Sequence, residues 1–241
     1  MQVLLKGIIL NVVKLSDHKL ICKIYTREKG LRSYLTRSGS SSKSKIKPAV
    51  LLPLNQVDIN VSEKENRDLG NLTEIRCNYI YTQIPSDIQK ISLSAFINEL
   101  LIKCLKESES NPELFDFLSA SLQKLDLTSE SIRNFHLNFM LQLSKHLGFF
   151  PNNNYNSANP VFDFMNGSFI ENIPSHPYYI KNEEAKQFSA LLEENESDEK
   201  KFIPNKEQRQ LLLTQLLTYY KLHVPGLNEL KSLSVLKETF A

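Results

Sequence analysis

The residues with the strongest chemical bias are basic. Arg27, Lys29 and Arg32 flank a short turn, and Arg37, Lys43, Lys45 and Lys47 line the Ser/Gly-rich stretch that follows, SGSSSKSKIK. Tyr25 and Tyr34 lie among them. Cations at this density track phosphates, and rings beside them stack bases, so the chemistry indicated is non-covalent capture of a nucleic-acid strand. Small Ser and Gly side chains also let backbone N–H groups approach phosphate oxygens. The competing reading is a solvated loop whose lysines serve solubility, with the tyrosines half in a core. A second candidate surface is the leucine-rich segment 211–222, where Tyr219 and Tyr220 could meet a partner, although most such helices are simply core.

Covalent chemistry finds little footing. No GxxxxGK[ST], GxSxG or HExxH pattern occurs, and seven glycines leave no phosphate-cradling loop. The histidines (His18, His136, His146, His176, His223) are scattered. His136 and His146 share one predicted helix, but at a spacing too wide for a common metal. Cys22, Cys77 and Cys104 lie far apart, an odd number with no CxxC pair. They are expected to be buried and reduced, in a cytoplasmic setting. No catalytic residue, metal or cofactor is expected.

The charge is divided along the chain. Residues 1–80 hold fourteen Lys/Arg against seven Asp/Glu, and residues 1–47 hold eleven against two, although the whole chain is only +2. The two halves therefore meet different partners, and the basic one suits a polyanion. No run approaches the roughly 18 apolar residues of a membrane span, and MQVLLKGIIL is too polar for a signal peptide.

Positioning these residues falls to two kinds of element. Strand-like runs occupy 3–13, 20–25, 31–37, 57–62 and 72–81, with Gly7 marking a bulge or bend and Gly30 the left-handed residue of a hairpin. Five short strands joined by polar turns indicate a small closed or nearly closed barrel over 1–82. After Pro85 the pattern is helical through 83–241, giving an α+β chain of two domains. Ser86 with Gln89, Asn111 with Pro112 and Asn205 with Gln208 read as helix starts, and Gly148 as a stop. Residues 151–180 read as an irregular, Asn-rich lobe.

The order of LLKGIIL, HKLICKIYTREKGLRSYLTRSG, the basic serine loop, NELL, NPELFDFL, LSKHLGFFP and LKSLSVL resembles the bacterial RecO family of recombination mediators over nearly the whole chain. Order and spacing carry the likeness, since no single piece is a strict motif. The resemblance implies an N-terminal OB-fold barrel followed by an α-helical bundle. It further implies binding of single- and double-stranded DNA, annealing of complementary strands, and action at the nucleoid in helping RecA onto DNA coated with single-strand-binding protein. RecR is an implied partner. So is the acidic C-terminal tail of single-strand-binding protein, which needs an apolar groove edged by cations; helix 209–222 with Tyr219 and Tyr220, and the segment bearing Lys231 and Lys237, are the candidates. Two departures stand out. Many members carry an Arg-rich stretch where this chain has Ser38-Gly39-Ser40-Ser41-Ser42, leaving Lys43, Lys45 and Lys47 to supply the charge. Many also hold a four-cysteine zinc site where this chain has Asn152 to Phe169 and no cysteine, so no zinc is expected. The rival reading is an adaptor whose basic barrel meets an acidic protein rather than DNA.

Overall fold

A computed structural model describes residues 2–17, 19–37, 46–62, 69–106, 109–196 and 204–240. By contact the chain divides into two compact units, one ending at Ser129 and the other beginning at Glu130.

The first unit is built on a closed barrel of β1 (Gln2–Ser16), β2 (Lys19–Thr26), β3 (Gly30–Arg37), β4 (Gln56–Ser62) and β5 (Leu69–Cys77), in the order β1-β2-β3-β5-β4. All neighbours are antiparallel except β3 and β5, a short parallel join from Ser33↔Leu69 to Leu35↔Asn71. Alternation drives closure: Leu5 and Ile9, Cys22 and Ile24, Val57, Ile59 and Val61 point inward to one core with Tyr34 and Leu72. Strand β1 serves both edges, pairing with β4 through Gln2–Ile8 and with β2 through Gly7–Ser16. Gly7 sits where those partners meet. A Cβ there would come within 2.5 Å of Ile24 Cγ2, so its role is close approach, while the irregularity expected at Gly7 lies between Ile9 and Asn11. Gly30 closes the β2–β3 turn at φ 64°, as the hairpin spacing requires.

Two helices pack with the barrel, α1 (Ile88–Cys104) and α2 (Pro112–Leu127). The cap of α1 is Asp87, whose carboxylate accepts from the N–H groups of Gln89 and Lys90; Ser86, the expected cap, donates to Gln83 O instead. The expected last strand stops short, at Cys77, because Asp126 of α2 takes the backbone beyond it. That buried carboxylate accepts from Thr82 N (3.0 Å), Gln83 N (2.8 Å), Ile84 N (2.8 Å) and Tyr79 OH (3.2 Å). Burial alone would raise its pKa; the bonds from Ile84, Thr82, Gln83 and Tyr79 outweigh burial and hold it below the usual carboxylate range. Lys90, equally buried, donates its ammonium to the carbonyls of Asp126 (2.8 Å) and Thr128 (2.9 Å), completing the end of α2 where the helix dipole is negative. Gln56 at the start of β4 is buried against Ser119 and Gln123 of α2. The α2 start matches the Asn111-Pro112-Glu113 reading.

The second unit comprises α3 (Phe135–His146), a small sheet of β6 (Val161–Asp163), β7 (Ser168–Ile170) and β8 (Tyr179–Ile180), then α4 (Asn182–Glu196), α5 (Lys206–His223) and α6 (Ser232–Thr239). Gly148 ends α3 at φ 83°, and Asn205 with Gln208 forms the expected capping box of α5. Aromatic rings fill the space between sheet and helices: Phe162 lies 4.7 Å from Phe188 and 4.8 Å from Phe169 between ring centres, and Phe149 stacks on His223 at 5.4 Å.

Candidate nucleic-acid interface

The basic residues of the β2–β3 hairpin fall at two ends. At the turn, Thr26 Oγ1 accepts from Lys29 N and donates to Gly30 O, fixing the loop. Arg27 there is committed within the protein. Its Nε and Nη2 donate to the two Asp116 carboxylate oxygens on α2, each at 2.8 Å, and Ser110 Oγ donates to its carbonyl. The hydrogen bond and charge of Arg27 hold Asp116 below the usual carboxylate range. Glu28 adds a second acid, accepting from Lys6 N. Lys29 and Arg32 are half-buried near this end. The turn therefore carries mixed charge and a spent guanidinium, which makes it a poorer place for phosphate than its composition indicates.

The other end of the same hairpin is different. Lys19 and Arg37 are directly opposite partners on β2 and β3, both exposed. They lie roughly 23 Å along the strands from the turn. A cavity of about 470 Å³ opens beside them, lined by Lys19, Leu35, Arg37, Ile46, Asn71 and Thr73 among others. Arg37 and Ile46, the described residues on either side of the serine-rich stretch, both line this cavity. Lys47 is exposed one residue beyond Ile46. Lys43 and Lys45 lie outside the described residues.

Alternation along β2 brings in residues that the sequence reading left out. Lys19, Ile21 and Lys23 share its outward face, with Ile21 between Val13 of β1 and Leu35 of β3. Lys23 is exposed, as are Val13 and Leu15 at the β1 end. The outer face is thus an apolar row bordered by Lys19 and Arg37 on one side and Lys23 on the other. The signal was present in KLICKIY, where a period of two puts both lysines on one side.

The tyrosines correct the sequence reading. Tyr34 is 1% exposed inside the barrel, and Tyr25 is 3% exposed with its ring stacked on Phe115 of α2, 6.4 Å between centres. Neither offers a face to a base.

Tyr219 and Tyr220 of the second unit are corrected the same way. Both are buried, with Tyr219 OH donating to Phe149 O (2.7 Å) and Tyr220 OH to Met140 O. Close by in sequence, α5, the 224–231 link and α6 enclose a cavity of about 370 Å³. Leu217, Leu227, Leu230 and Leu233 line it; Lys221 and Lys237 add positive charge, and Glu229 one acid. Lys231 is exposed and does not line it.

Among the described residues, no group of three or more His, Cys, Asp or Glu side chains is placed to hold a metal. The cysteines are dispersed over β2, β5 and α1, and burial pushes Cys22 up to about 11 and Cys104 up to about 12, unlike a nucleophile or a thiolate ligand. The 151–180 lobe is clasped by amides. Asn154 accepts from Phe169 N and donates to Phe169 O, while Asp163 caps its turn by accepting from Met165 N and Asn166 Nδ2. Gly167, at φ 66°, has no room for a Cβ, which would lie 2.6 Å from Tyr219 OH. This donor set does not fit a structural zinc site, which needs four closed N/S ligands.

A closed barrel in this strand order, with a cationic groove at one mouth and helices appended, defines a protein of the oligonucleotide-binding barrel class. The chain belongs to the recombination protein O family. It matches the family's N-terminal domain, described as Recombination protein O N terminal, over residues 1–81, and the Recombination protein O C terminal domain over 85–234. Among curated relatives, a DNA repair protein RecO from Phocaeicola vulgatus is 33% identical, covering 98% of both chains. Another from Bacteroides fragilis strain YCH46 is 34% identical over 97% of both, and one from Flavobacterium psychrophilum 33% identical over 100% of both. No described helix is long and apolar enough to cross a membrane.

Proposed function

We propose that this chain is a recombination mediator in DNA repair that works without a covalent step. The barrel binds single- and double-stranded DNA, brings complementary strands together for annealing, and helps RecA onto DNA coated with single-strand-binding protein, at the nucleoid in the cytoplasm. The observation that carries this reading is Lys19 directly opposite Arg37 beside a groove that Ile46 also lines. Like charges facing across a strand pair are destabilising, and an anion bridging them relieves the cost. Neutralised phosphates also repel a second strand less, which gives annealing its physical basis. The family membership and the relatives' DNA repair name support the same conclusion.

In this reading residues 1–82 meet DNA and 83–241 meet protein partners, with RecR among them, and the lobe near 151–180 holds no zinc. The leucine-lined cavity under Lys221 and Lys237 takes the acidic, apolar tail of single-strand-binding protein, replacing Tyr219, Tyr220 and Lys231 as its contacts. The test is binding of a labelled oligonucleotide over a salt series. With Lys19, Lys23, Arg37, Lys43, Lys45 and Lys47 engaged, the single-strand log–log slope is roughly −4. Changing Lys43, Lys45 and Lys47 together to Glu abolishes binding at ~0.05 M salt, where phosphate contacts count most. Unchanged affinity in that variant removes the loop from the interface, and no binding by the unaltered chain favours the adaptor reading.

A further inference from the structure

We infer that the barrel holds a nucleic-acid strand by its phosphodiester backbone and leaves the bases free. This rests on the DNA-binding reading above and specifies which part of the polymer is recognised. Residues 1–82 contain four tyrosines. Tyr25 and Tyr34 are buried, one against Phe115 and one inside the barrel. Tyr79 and Tyr81, beyond β5, are half-buried with ring centres 5.3 Å apart, and donate their hydroxyls to Asp126 and to Leu54 O. His18, the one imidazole in that stretch, lies outside the described residues. Single-strand-binding barrels that grip bases do so on exposed rings. This region has spent its tyrosines on the barrel core, on α2 and, for Tyr79 and Tyr81, on each other.

What the outer face presents is charge on an aliphatic floor. Lys19 pairs with Arg37, and Lys23 lies roughly 13 Å further along β2. That distance corresponds to about four steps of axial rise in a duplex strand at 3.4 Å each, so the two ends meet different phosphates. Ile21 and Leu35 between them are branched aliphatic side chains, which pack against sugars and provide no flat face for a base. Ammonium and guanidinium groups in this arrangement recognise repeated phosphates and are indifferent to what the sugars carry. A strand held so keeps its pairing edges turned to solvent and stays competent to pair. The same grip serves single and double strands, because both offer the backbone.

The experiment uses the full chain with two labelled strands of equal length. One is an ordinary mixed-sequence oligonucleotide, and the other is abasic throughout, with the same number of phosphates. Anisotropy over a salt series is expected to give equal affinities within about twofold and the same slope, because only phosphates are counted. Lys19→Glu with Arg37→Glu weakens both strands equally. An abasic strand bound about tenfold or more weakly, the cost of a lost base stack, overturns the inference and leaves DNA binding standing. Binding of neither strand overturns the DNA-binding reading and this inference with it.

Discussion

Lys19 and Arg37 set binding against stability on a single pair of strand positions. Replacing Lys19 by Glu turns a repulsive cross-strand pair into an attractive one, so the barrel gains on the order of 0.2–1 kcal/mol. In the proposed DNA complex the same change removes one phosphate contact and adds a repulsion, so DNA affinity is expected to fall by about tenfold at low salt and the salt slope to shrink by roughly 0.7 or more. Urea unfolding and anisotropy on one preparation check both; a variant that binds unchanged removes Lys19 from the interface. At this scale the sequence was a good guide to charge and a poor one to faces. The basic cluster was plain, but Arg27 is tied to Asp116, 89 positions away, a pairing no local pattern shows. Tyr34 shares its face with Arg32 and Thr36, so polarity leaves that face ambiguous, and only the closure of the barrel puts it inside. In KLICKIYT both faces carry apolar residues, which hid Lys19 and Lys23 as a pair.

At the scale of elements, one carboxylate fastens α2 to the chain leaving the barrel. Asp126→Ala strips partners from Thr82, Gln83 and Ile84 N–H at once, and costs about 3–5 kcal/mol by urea unfolding followed by circular dichroism. Asp126→Asn keeps the shape and one acceptor oxygen and loses less. Because the folded carboxyl titrates lower than the unfolded one, its contribution is fully present above the unfolded value, and fades as pH falls below about 4 through the folded one. A wild-type acid limb no steeper than that of Asp126→Asn contradicts this assignment. Most elements were legible, because strand alternation and the Asn111, Asn205 and Gly148 signals are local. Two things were not. The α1 cap moved by one residue because Ser86 and Asp87 are both able caps in tandem, and the carboxylate prevailed. The strands of the Asn-rich lobe are only two or three residues long, too short for any period, and they form because Asn154 and Asp163 organise the turns around them.

For the molecule as a whole, the two units answer acid differently. His136 in α3 is buried, and burial, with the charge of Arg209, pushes it down to about 3. Between the ordinary histidine value near 6.5 and that lower one, the unfolded chain binds a proton that the folded unit refuses. Stability of the second unit therefore falls by up to about 1.4 kcal/mol per pH unit across this window as pH drops. The Asp126 contribution in the first unit is still intact at pH 5. Hydrogen exchange at pH 7 and pH 5 is expected to show α3 and α5 opening more readily while β2 and β4 hold, and His136→Leu removes the difference. Equal loss of protection in both units contradicts it. The overall plan was the most legible level of all, since the switch from strand to helix near Pro85 is written in periodicity. The grouping of α1 and α2 with the barrel was not, because it depends on Asp116, Ser119 and Asp126, each meeting a residue more than forty positions earlier. That long reach has a bearing on how the protein is made. A ribosome delivers the barrel strands first and Asp126 about fifty residues after the last of them ends, so the nascent barrel waits, cationic face outward, until its fastening has cleared the exit tunnel.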